Sequence, residues 1–332
     1  MRTLLRQKYI GYICAFLAAF FLGFHSIIIR YLELQQVNPY LIITSRLFIG
    51  AFFLTIFVFM QRLWKREKMF QPGKFRYGKF FWIAAVGLGL NFIFFHQGLN
   101  YTIASNAILL ETFSSVMVLL LILVFFPEKA KNFQSKRPLL TRLFFLVILG
   151  SIGSTLLIVH TPEDIVPQHN MKMLGDLLEF VAMLFFALFF IGSSEHRKEN
   201  SEANPLETSR RFLFVAGCMV AVLLPFSISF ESIARMTLEQ WLFILLIGIL
   251  STGITYTLWY HASKYLNVVS LALMFNLSSV FTVLWESVFF KLQISWSIIL
   301  GAALIMYASV SAEMIMSKKM KEELEEEKIL EA

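Results

Sequence analysis

Ten apolar stretches, each of roughly 20 residues, are separated by shorter segments that carry most of the charged residues. Because an α-helix rises about 1.5 Å per residue, such a stretch can cross the roughly 30 Å hydrocarbon core of a bilayer. Only 15% of the residues are charged and 58% are hydrophobic, which excludes a soluble globular chain of this length. The sequence therefore predicts an all-α integral membrane protein with ten transmembrane helices, at residues 9–31, 39–61, 80–99, 104–126, 142–160, 174–194, 211–230, 240–262, 268–290 and 294–314.

The basic residues are concentrated in every second segment between the apolar stretches. When these segments are assigned alternately to the two sides of the membrane, 24 of the 29 Lys and Arg fall on the side that holds both termini. Lys and Arg accumulate in cytoplasmic loops, so both termini are predicted to be cytoplasmic. The net charge of +7 is attributed to these loops, and no nucleic-acid partner is predicted. Residues 315–332, with four Lys and six Glu, are predicted to form a charged, solvated helical tail.

The chain contains an internal repeat at an offset of 164 residues. Thr-Ser-Arg at 44–46 aligns with Thr-Ser-Arg at 208–210, and Ser-Ser-Val at 114–116 aligns with the same tripeptide at 278–280. Each copy holds five apolar stretches, and this odd number makes the second copy enter the membrane from the opposite side. We therefore expect two inverted five-helix repeats, at residues 9–160 and 173–314. This arrangement is typical of secondary transporters, whose substrate site lies near the midplane between the repeats.

Motifs in the first repeat resemble those of the EamA-type transporters, a branch of the drug/metabolite transporter superfamily. Gly-Phe-His-Ser at 23–26 is followed by Arg30, and Ser-Arg-Leu-Phe stands at 45–48. The fourth stretch begins with Ala-Ser-Asn-Ala at 104–107 and ends with Phe-Pro-Glu-Lys at 126–129. The chain departs from the family pattern where Ser-Ser pairs replace the proline within the fourth and ninth helices. The resemblance implies two EamA-like repeats and transport of small metabolites, and it leaves the substrate open.

Six ionisable side chains lie within the apolar stretches, away from their ends. A charged group at the centre of a transmembrane helix costs roughly 2.5 to 3.5 kcal/mol on insertion scales, so each of the six is a candidate functional group. The predicted topology places all of them in the outer half of the membrane, which is the depth agreement expected of a shared cavity. They are His25, Arg46, His96, Glu111, Glu179 and Glu286.

Glu111 is the ionisable group nearest the midplane, and it shares a stripe of small residues with Ser115. Three interpretations stay open. The carboxylate projects into a transport cavity, where it pairs with a cationic substrate group or exchanges a proton. Alternatively it forms a structural salt bridge with Arg46, or the stripe serves helix packing alone. Arg46 itself is either architectural or a contact for a substrate carboxylate.

His25 and His96 are candidate proton relays, because imidazole titrates near neutral pH, although a hydrogen-bonded structural role is equally open. Glu179 and Glu286 are alternatively groups near the headgroups at the ends of their helices. Four further candidates come from the second repeat, in which Tyr260 aligns with His96. Aromatic rings bind organic cations through their quadrupole, and they also anchor helix ends at the membrane surface. The four are Trp259, Tyr260, Asn276 and Ser279.

The sequence shows no nucleotide-binding glycine loop, no HExxH motif and no Cys or His cluster that would hold a metal. We therefore predict a transporter rather than an enzyme, with no cofactor, no metal and no catalytic residue. It would move amino acids, amines or drug-like compounds by alternating access, as a secondary-active or facilitative transporter. Export is the expected direction, and protons are a candidate coupling ion. It is expected to be a multi-pass protein of the plasma (inner) membrane, as a monomer or a homodimer. A membrane receptor or scaffold and an integral-membrane enzyme are the alternatives.

Overall fold

The computed structural model describes residues 2–64, 77–99, 101, 114–125, 137–158, 172–227, 233–290 and 295–331. Within these ranges the regular secondary structure is entirely helical, as predicted. Helix α8 comprises Leu238–Ile247, a π-helical turn at Gly248–Ile254, and Thr255–Ala262, and α9 comprises Val268–Phe275 and Leu277–Phe290. The other helices are α1 (Arg2–Leu34), α2 (Pro39–Trp64), α3 (Lys79–Leu99), α4 (Ser114–Phe125), α5 (Arg137–Ile158), α6 (Lys172–Glu199), α7 (Pro205–Ala221) and α10 (Trp296–Glu331), with a single turn at Leu224–Ser227 between α7 and α8.

Six of the described helices are long and apolar enough to cross a membrane, at Lys8–Ile29, Pro39–Trp64, Lys79–Gly98, Met173–Glu199, Leu238–Ala262 and Val268–Phe289. Shorter apolar segments lie in α5, at Thr141–Gly153, and in α10, at Trp296–Ala312. The chain is therefore a helical membrane protein. Each of the ten predicted stretches overlaps one of α1 to α10, while the number of crossings and the cytoplasmic position of the termini stay predictions.

The outer surface of the bundle is apolar, as a membrane requires. Phe52, Phe214 and Val288 are 68%, 55% and 67% exposed, and many other large apolar side chains share this orientation. In water such a surface would be an aggregation hazard, whereas lipid tails are as apolar as the side chains themselves. An α-helix pairs its own backbone polar groups except at its ends, which is the condition for residing in hydrocarbon.

Helix contacts follow the repeat. Helix α2 packs on its counterpart α7, and α5 packs on its counterpart α10. Helix α3 packs on α6, and the counterparts of these two helices, α8 and α1, are also in contact. A two-fold relation between the two repeats accounts for these four contacts, since the first two map onto themselves and the last two map onto each other.

Glycines set the spacing of α3 and α6, which run antiparallel. A methyl group on Gly87 would lie 2.9 Å from the carbonyl oxygen of Phe185, and one on Gly192 would lie 2.7 Å from the amide nitrogen of Ala84. Small residues at such positions let transmembrane helices approach backbone to backbone. The side chain of Asn91 adds a hydrogen bond of 3.0 Å to the carbonyl oxygen of Ala182. This interface ties the first repeat to the second.

Local sequence signals mark several helix ends. Gln36 adopts φ 60°, and the amide of Val37 donates to the carbonyl of Leu32 at 3.1 Å, which closes α1 with a Schellman-type cap. Asn204 caps α7, which begins with Pro205. Helix α8 begins with a reciprocal capping box between Thr237 and Gln240.

The π-helical turn of α8 packs against α2 and also contacts α1. A methyl group on Gly50 of α2 would lie 2.9 Å from the carbonyl oxygen of Gly248 and 3.1 Å from the amide nitrogen of Gly253. The hydroxyl of Ser251 donates to the carbonyl of Phe21 on α1 at 2.8 Å. π-helical turns within α-helices are frequent at functional sites. This turn separates the outer half of α8 from the segment that carries Trp259.

Candidate functional site

Three of the predicted site residues meet near the ends of their helices that are predicted to face outward. Arg46 of α2 and His96 of α3 are each 4% exposed. His25 of α1 lies within electrostatic range of both. We call His25, Arg46 and His96 the outer cluster. It lies within the first repeat, and its depth in the membrane stays a prediction.

Phe92 connects two members of the outer cluster. The guanidinium of Arg46 lies over the Phe92 ring, 4.8 Å from its centroid, and Nδ1 of His96 lies 3.1 Å from the Phe92 carbonyl oxygen. A guanidinium over an aromatic face is attracted by the ring quadrupole, by about 2 kcal/mol when it is desolvated. Nε2 of His25 is buried and has no hydrogen-bond partner among the described residues. A bound polar molecule would satisfy this nitrogen.

Glu179 of α6 packs against α3 at Gly98, on a face of α3 other than the one that carries His96. It is fully buried at the α3–α6 interface, where a methyl group on Gly98 would lie 2.7 Å from its Oε1. His96 and Gly98 are two residues apart, and this spacing turns their side chains to nearly opposite faces of a helix. The common depth predicted for Glu179 and His96 therefore does not bring them together.

A small aromatic cavity is lined by α6, α8 and α9 of the second repeat and by Leu22 of α1 in the first. Its volume is about 10 Å³, room for roughly one water molecule. The predicted site residue Trp259 forms one wall, with its ring 5.5 Å from Phe190 and 5.9 Å from Phe275. Nε1 of Trp259 is buried without a hydrogen-bond partner in the described part of the chain. The walls are Leu22, Phe186, Phe189, Phe190, Thr255, Tyr256, Trp259 and Phe275.

A second polar group lies toward the opposite ends of α6 and α8. Nδ1 of His196 lies 2.8 Å from the hydroxyl of Tyr260, and the guanidinium of Arg197 lies over the Tyr260 ring at 5.2 Å. All three side chains are buried. We call His196, Arg197 and Tyr260 the inner cluster. On α6 it is about 25 Å from the level of Glu179, at 1.5 Å per residue.

The sequence predicted Tyr260 as a site residue and did not single out His196 or Arg197. His196 follows the apolar stretch 174–194 directly, where a histidine is expected to lie at the membrane surface. The sequence offers one local feature near His196, an asparagine four residues later. In the structure the side chain of Asn200 donates to the His196 carbonyl at 3.1 Å. That bond belongs to the helix end and does not indicate burial of the imidazole.

The remaining predicted site residues are dispersed. Asn276 is 1% exposed, and neither polar atom of its side chain has a hydrogen-bond partner among the residues described. Ser115 of α4 is fully buried, and Ser279 of α9 is half-buried. Glu111 lies outside the described residues, as does the side chain of Glu286. The roles predicted for these two carboxylates stay predictions.

An ion-pair cluster fastens α2 to α7 at their predicted cytoplasmic ends. Glu207 lies 2.9 Å from Arg62 and 2.5 Å from Arg211, with Arg210 at 3.9 Å. Burial alone would raise the pKa of Glu207, but the hydrogen bond and charge of Arg211, together with Arg62, hold it below its ordinary value. The carboxylate form therefore stabilises this junction.

Replacing Glu207 by glutamine is expected to lower the free energy of unfolding at pH 7 by about 1 to 2 kcal/mol, because charge-assisted hydrogen bonds are lost. A lowered pKa in the folded state gives stability that is complete above the ordinary pKa of 4.5 and is lost as the pH falls below it. The difference in thermal unfolding between wild type and Glu207→Gln should therefore shrink on acidification from pH 7. Glu202→Gln, which removes the charge of an exposed carboxylate, is the control and should change stability by less than about 0.5 kcal/mol. A Glu207→Gln effect that is independent of pH would contradict the assignment.

The fold and these buried groups define a class, a helical membrane protein built of two repeats with a small cavity lined by residues of both. A model of the EamA-like transporter family matches residues 9–159 and 173–312. The chain belongs to the EamA-like transporter family and is a membrane transporter of the drug/metabolite type. Members of this family are transporters rather than enzymes. The resemblance inferred from the motifs of the first repeat is thereby confirmed.

A solved structure described as "Crystal structure of protein" is similar in fold, with a TM-score of 0.68. The two chains are 16% identical, and the alignment covers 93% of this chain and 98% of the other. At this identity the likeness shows the fold alone. No curated protein matches this sequence.

Proposed function

We propose that the chain exports small metabolites such as amino acids, amines or drug-like compounds across the plasma membrane by alternating access, driven by an ion gradient. The observation that supports this is a series of buried and half-buried groups that follow one another along α1 and α8, which contact each other across the repeats. His25 of the outer cluster is one turn from Leu22 of the cavity on α1, and Trp259 of the cavity is next to Tyr260 of the inner cluster on α8.

Polar contacts close this series at both ends. In alternating access the contacts at one end would break while those at the other end stay formed. At the predicted outer end, the hydroxyl of Tyr31 donates to Glu239 at 2.8 Å, and Gln240 donates to Gln35 at 2.9 Å. At the predicted inner end, His196 is hydrogen-bonded to Tyr260. The cavity admits a metabolite only when the helices around it separate. The π-helical turn of α8, which lies between the two closures, is the place where this helix would bend.

The chemistry of the series favours a substrate with an amine, a carboxylate or both. Trp259 and the phenylalanines of the cavity would attract an organic cation through their ring quadrupoles. Arg46 would attract a carboxylate, for which guanidinium is the best-matched side chain. For the coupling ion we propose the proton, carried by Glu111 together with His96 or His25, since carboxylate and imidazole groups inside a membrane commonly act as proton relays.

The first test is a thermal-shift screen of the purified chain against amino acids, polyamines, quaternary amines, nucleosides and sugars. A selective ligand stabilises the folded state by mass action, by about 2.7 kcal/mol at a hundredfold excess over Kd. We expect one class containing amines to stabilise the wild type and to give counterflow in proteoliposomes. Trp259→Phe should weaken this stabilisation several-fold, because phenylalanine is a poorer cation binder than tryptophan. Trp296→Phe, at a side chain that is 84% exposed, is the matched control and should have no effect.

The absence of substrate-dependent flux for every class would contradict transport and favour a receptor or scaffold. Proton coupling is tested separately with Glu111→Gln. This variant is expected to keep counterflow, which needs no driving gradient, and to lose transport driven by a pH gradient. Unchanged pH-driven transport in Glu111→Gln would remove Glu111 from the coupling mechanism.

A further inference from the structure

A groove on the membrane-facing surface opens between α2, α3 and α7, toward the ends of these helices that are predicted to be cytoplasmic. Its volume is about 550 Å³, within the roughly 300 to 1,000 Å³ typical of small-molecule sites. Among the described residues it shares no lining side chain with the central cavity or with the outer and inner clusters. It is therefore a separate site.

The walls of the groove are aromatic and face outward. Phe52 is 68% exposed, Phe214 is 55% exposed and Trp82 is 49% exposed, and Phe48 and Phe81 line the groove more deeply. In a helical membrane protein a surface of this kind contacts lipid tails. An acyl chain in the groove would touch rings from all three helices.

Two arginines of α7 line the groove, at the first turns of that helix. Arg210 and Arg211 share one carboxylate, that of Glu207, with Arg62 of α2. Of the three guanidinium groups, that of Arg210 is the farthest from the carboxylate, at 3.9 Å against 2.5 Å for Arg211 and 2.9 Å for Arg62. Glu207 therefore engages Arg62 and Arg211 and leaves Arg210 with the weakest pairing.

Arg210 is consequently available to a second anion. Its Nε is buried and has no hydrogen-bond partner in the described parts of the chain, while 31% of the side chain is exposed. Its counterpart in the first repeat, Arg46, is only 4% exposed and belongs to the outer cluster. Guanidinium groups bind phosphate oxygens through paired, charge-assisted hydrogen bonds. Arg210 thus presents a phosphate-binding group at the edge of an acyl-chain groove.

We propose that this groove binds an anionic phospholipid of the cytoplasmic leaflet, with the headgroup phosphate on Arg210 and an acyl chain against Phe52 and Phe214. That leaflet carries a negative surface potential, and basic pockets between transmembrane helices on this side hold anionic headgroups. The occupant is a lipid rather than a soluble anion, because a soluble anion would fill only the Arg210 end of the groove. An acyl chain also covers the aromatic walls on the membrane-facing surface.

The test uses the purified full-length chain in detergent with phosphatidylglycerol or phosphatidylcholine of identical acyl chains. Native mass spectrometry measures the fraction of protein that retains each lipid. Wild type is expected to retain phosphatidylglycerol about fivefold better, since one basic residue near the membrane surface contributes about that factor. Arg210→Gln is expected to lose the preference. Arg142→Gln removes an exposed arginine on the same predicted side of the membrane and is expected to keep it.

Two further variants separate lipid binding from folding. Arg210→Lys keeps the charge and should retain part of the preference while melting like the wild type. Phe214→Ala should lower retention of both lipids, because it removes a wall of the acyl groove. Equal retention of the two lipids by wild type, or an unchanged preference in Arg210→Gln, would overturn the proposal. Displacement of the lipid by glycerol phosphate at equal concentration would also overturn it, since the site would then bind a free anion.

Discussion

Alanine at position 153 is expected to lower the free energy of unfolding by about 2 to 3 kcal/mol, because α5 and α10 cross there with their backbones in contact. A methyl group on Gly153 would lie 2.7 Å from the carbonyl oxygen of Gly301 and 3.0 Å from Cβ of Leu304. Neither neighbour is the free end of a flexible side chain, so the helices must separate to admit it. Transmembrane helices associate largely through close packing, and a separation therefore weakens the whole interface. Thermal unfolding of the purified protein measures the loss.

Gly150, one turn earlier on α5, provides the matched control. A methyl group there would lie 3.5 Å from Cβ of Ala308 and 3.5 Å from Cδ2 of Leu273, both ordinary van der Waals contacts. Gly150→Ala is therefore expected to leave stability unchanged or to raise it by up to about 1 kcal/mol through helix propensity. Equal effects at the two positions would show that the α5–α10 contact is not set by the backbone approach at Gly153.

The helical class and the repeat could be predicted because the bilayer imposes them on the sequence. A span must be apolar over its full length and must satisfy its own backbone, so hydropathy alone locates it. The Thr-Ser-Arg and Ser-Ser-Val tripeptides revealed the duplication because polar matches are rare in an apolar chain. The pairing of helices, by contrast, depends on glycines such as Gly87 and Gly192. Their contact partners lie on another helix, so the residues around each glycine in the sequence do not predict them.

The sequence predicts the level of a side chain along its helix, whereas it does not indicate the direction of that side chain around the helix axis. Equal predicted depth placed His25, Arg46, His96 and Glu179 together, and in the structure the first three lie within electrostatic range of one another. Glu179 reaches the same level on another helix but packs at Gly98, on the face of α3 that turns away from His96. Hydrophobicity is nearly uniform around these helices, so no apolar stripe indicates which face is buried.

The two Thr-Ser-Arg tripeptides show how identical sequences acquire different surroundings. Arg46 is buried over Phe92, whereas Arg210 lies beside Glu207 at the edge of a lipid-facing groove. Residues contributed by other helices decide the difference. The same reason explains why the inner cluster was missed, since His196 is buried by Phe81 and Phe212, which come from α3 and α7.

Arg46→Gln is expected to reduce substrate counterflow in proteoliposomes at least tenfold, the largest functional effect of any substitution considered. Glutamine keeps a polar side chain but removes the positive charge that the outer cluster would offer to a substrate carboxylate. A tenfold change corresponds to about 1.4 kcal/mol, and charge-assisted hydrogen bonds contribute about 1.5 to 3 kcal/mol. Thermal unfolding of the same variant shows whether the loss is one of folding.

The neighbouring ring allows the role of Arg46 to be separated from a general effect of charge. Phe92→Leu retains an apolar side chain and removes the ring that lies 4.8 Å from the guanidinium, so it should misplace Arg46 and slow counterflow several-fold. If Phe92 acts only by positioning Arg46, adding Phe92→Leu to Arg46→Gln should cause little further loss, which a double-mutant cycle measures directly. Arg142→Gln, which removes an exposed charge, should leave counterflow unchanged. Additive losses in the cycle would mean that Phe92 and Arg46 act independently, and normal counterflow in Arg46→Gln would assign this arginine to the architecture of the bundle alone.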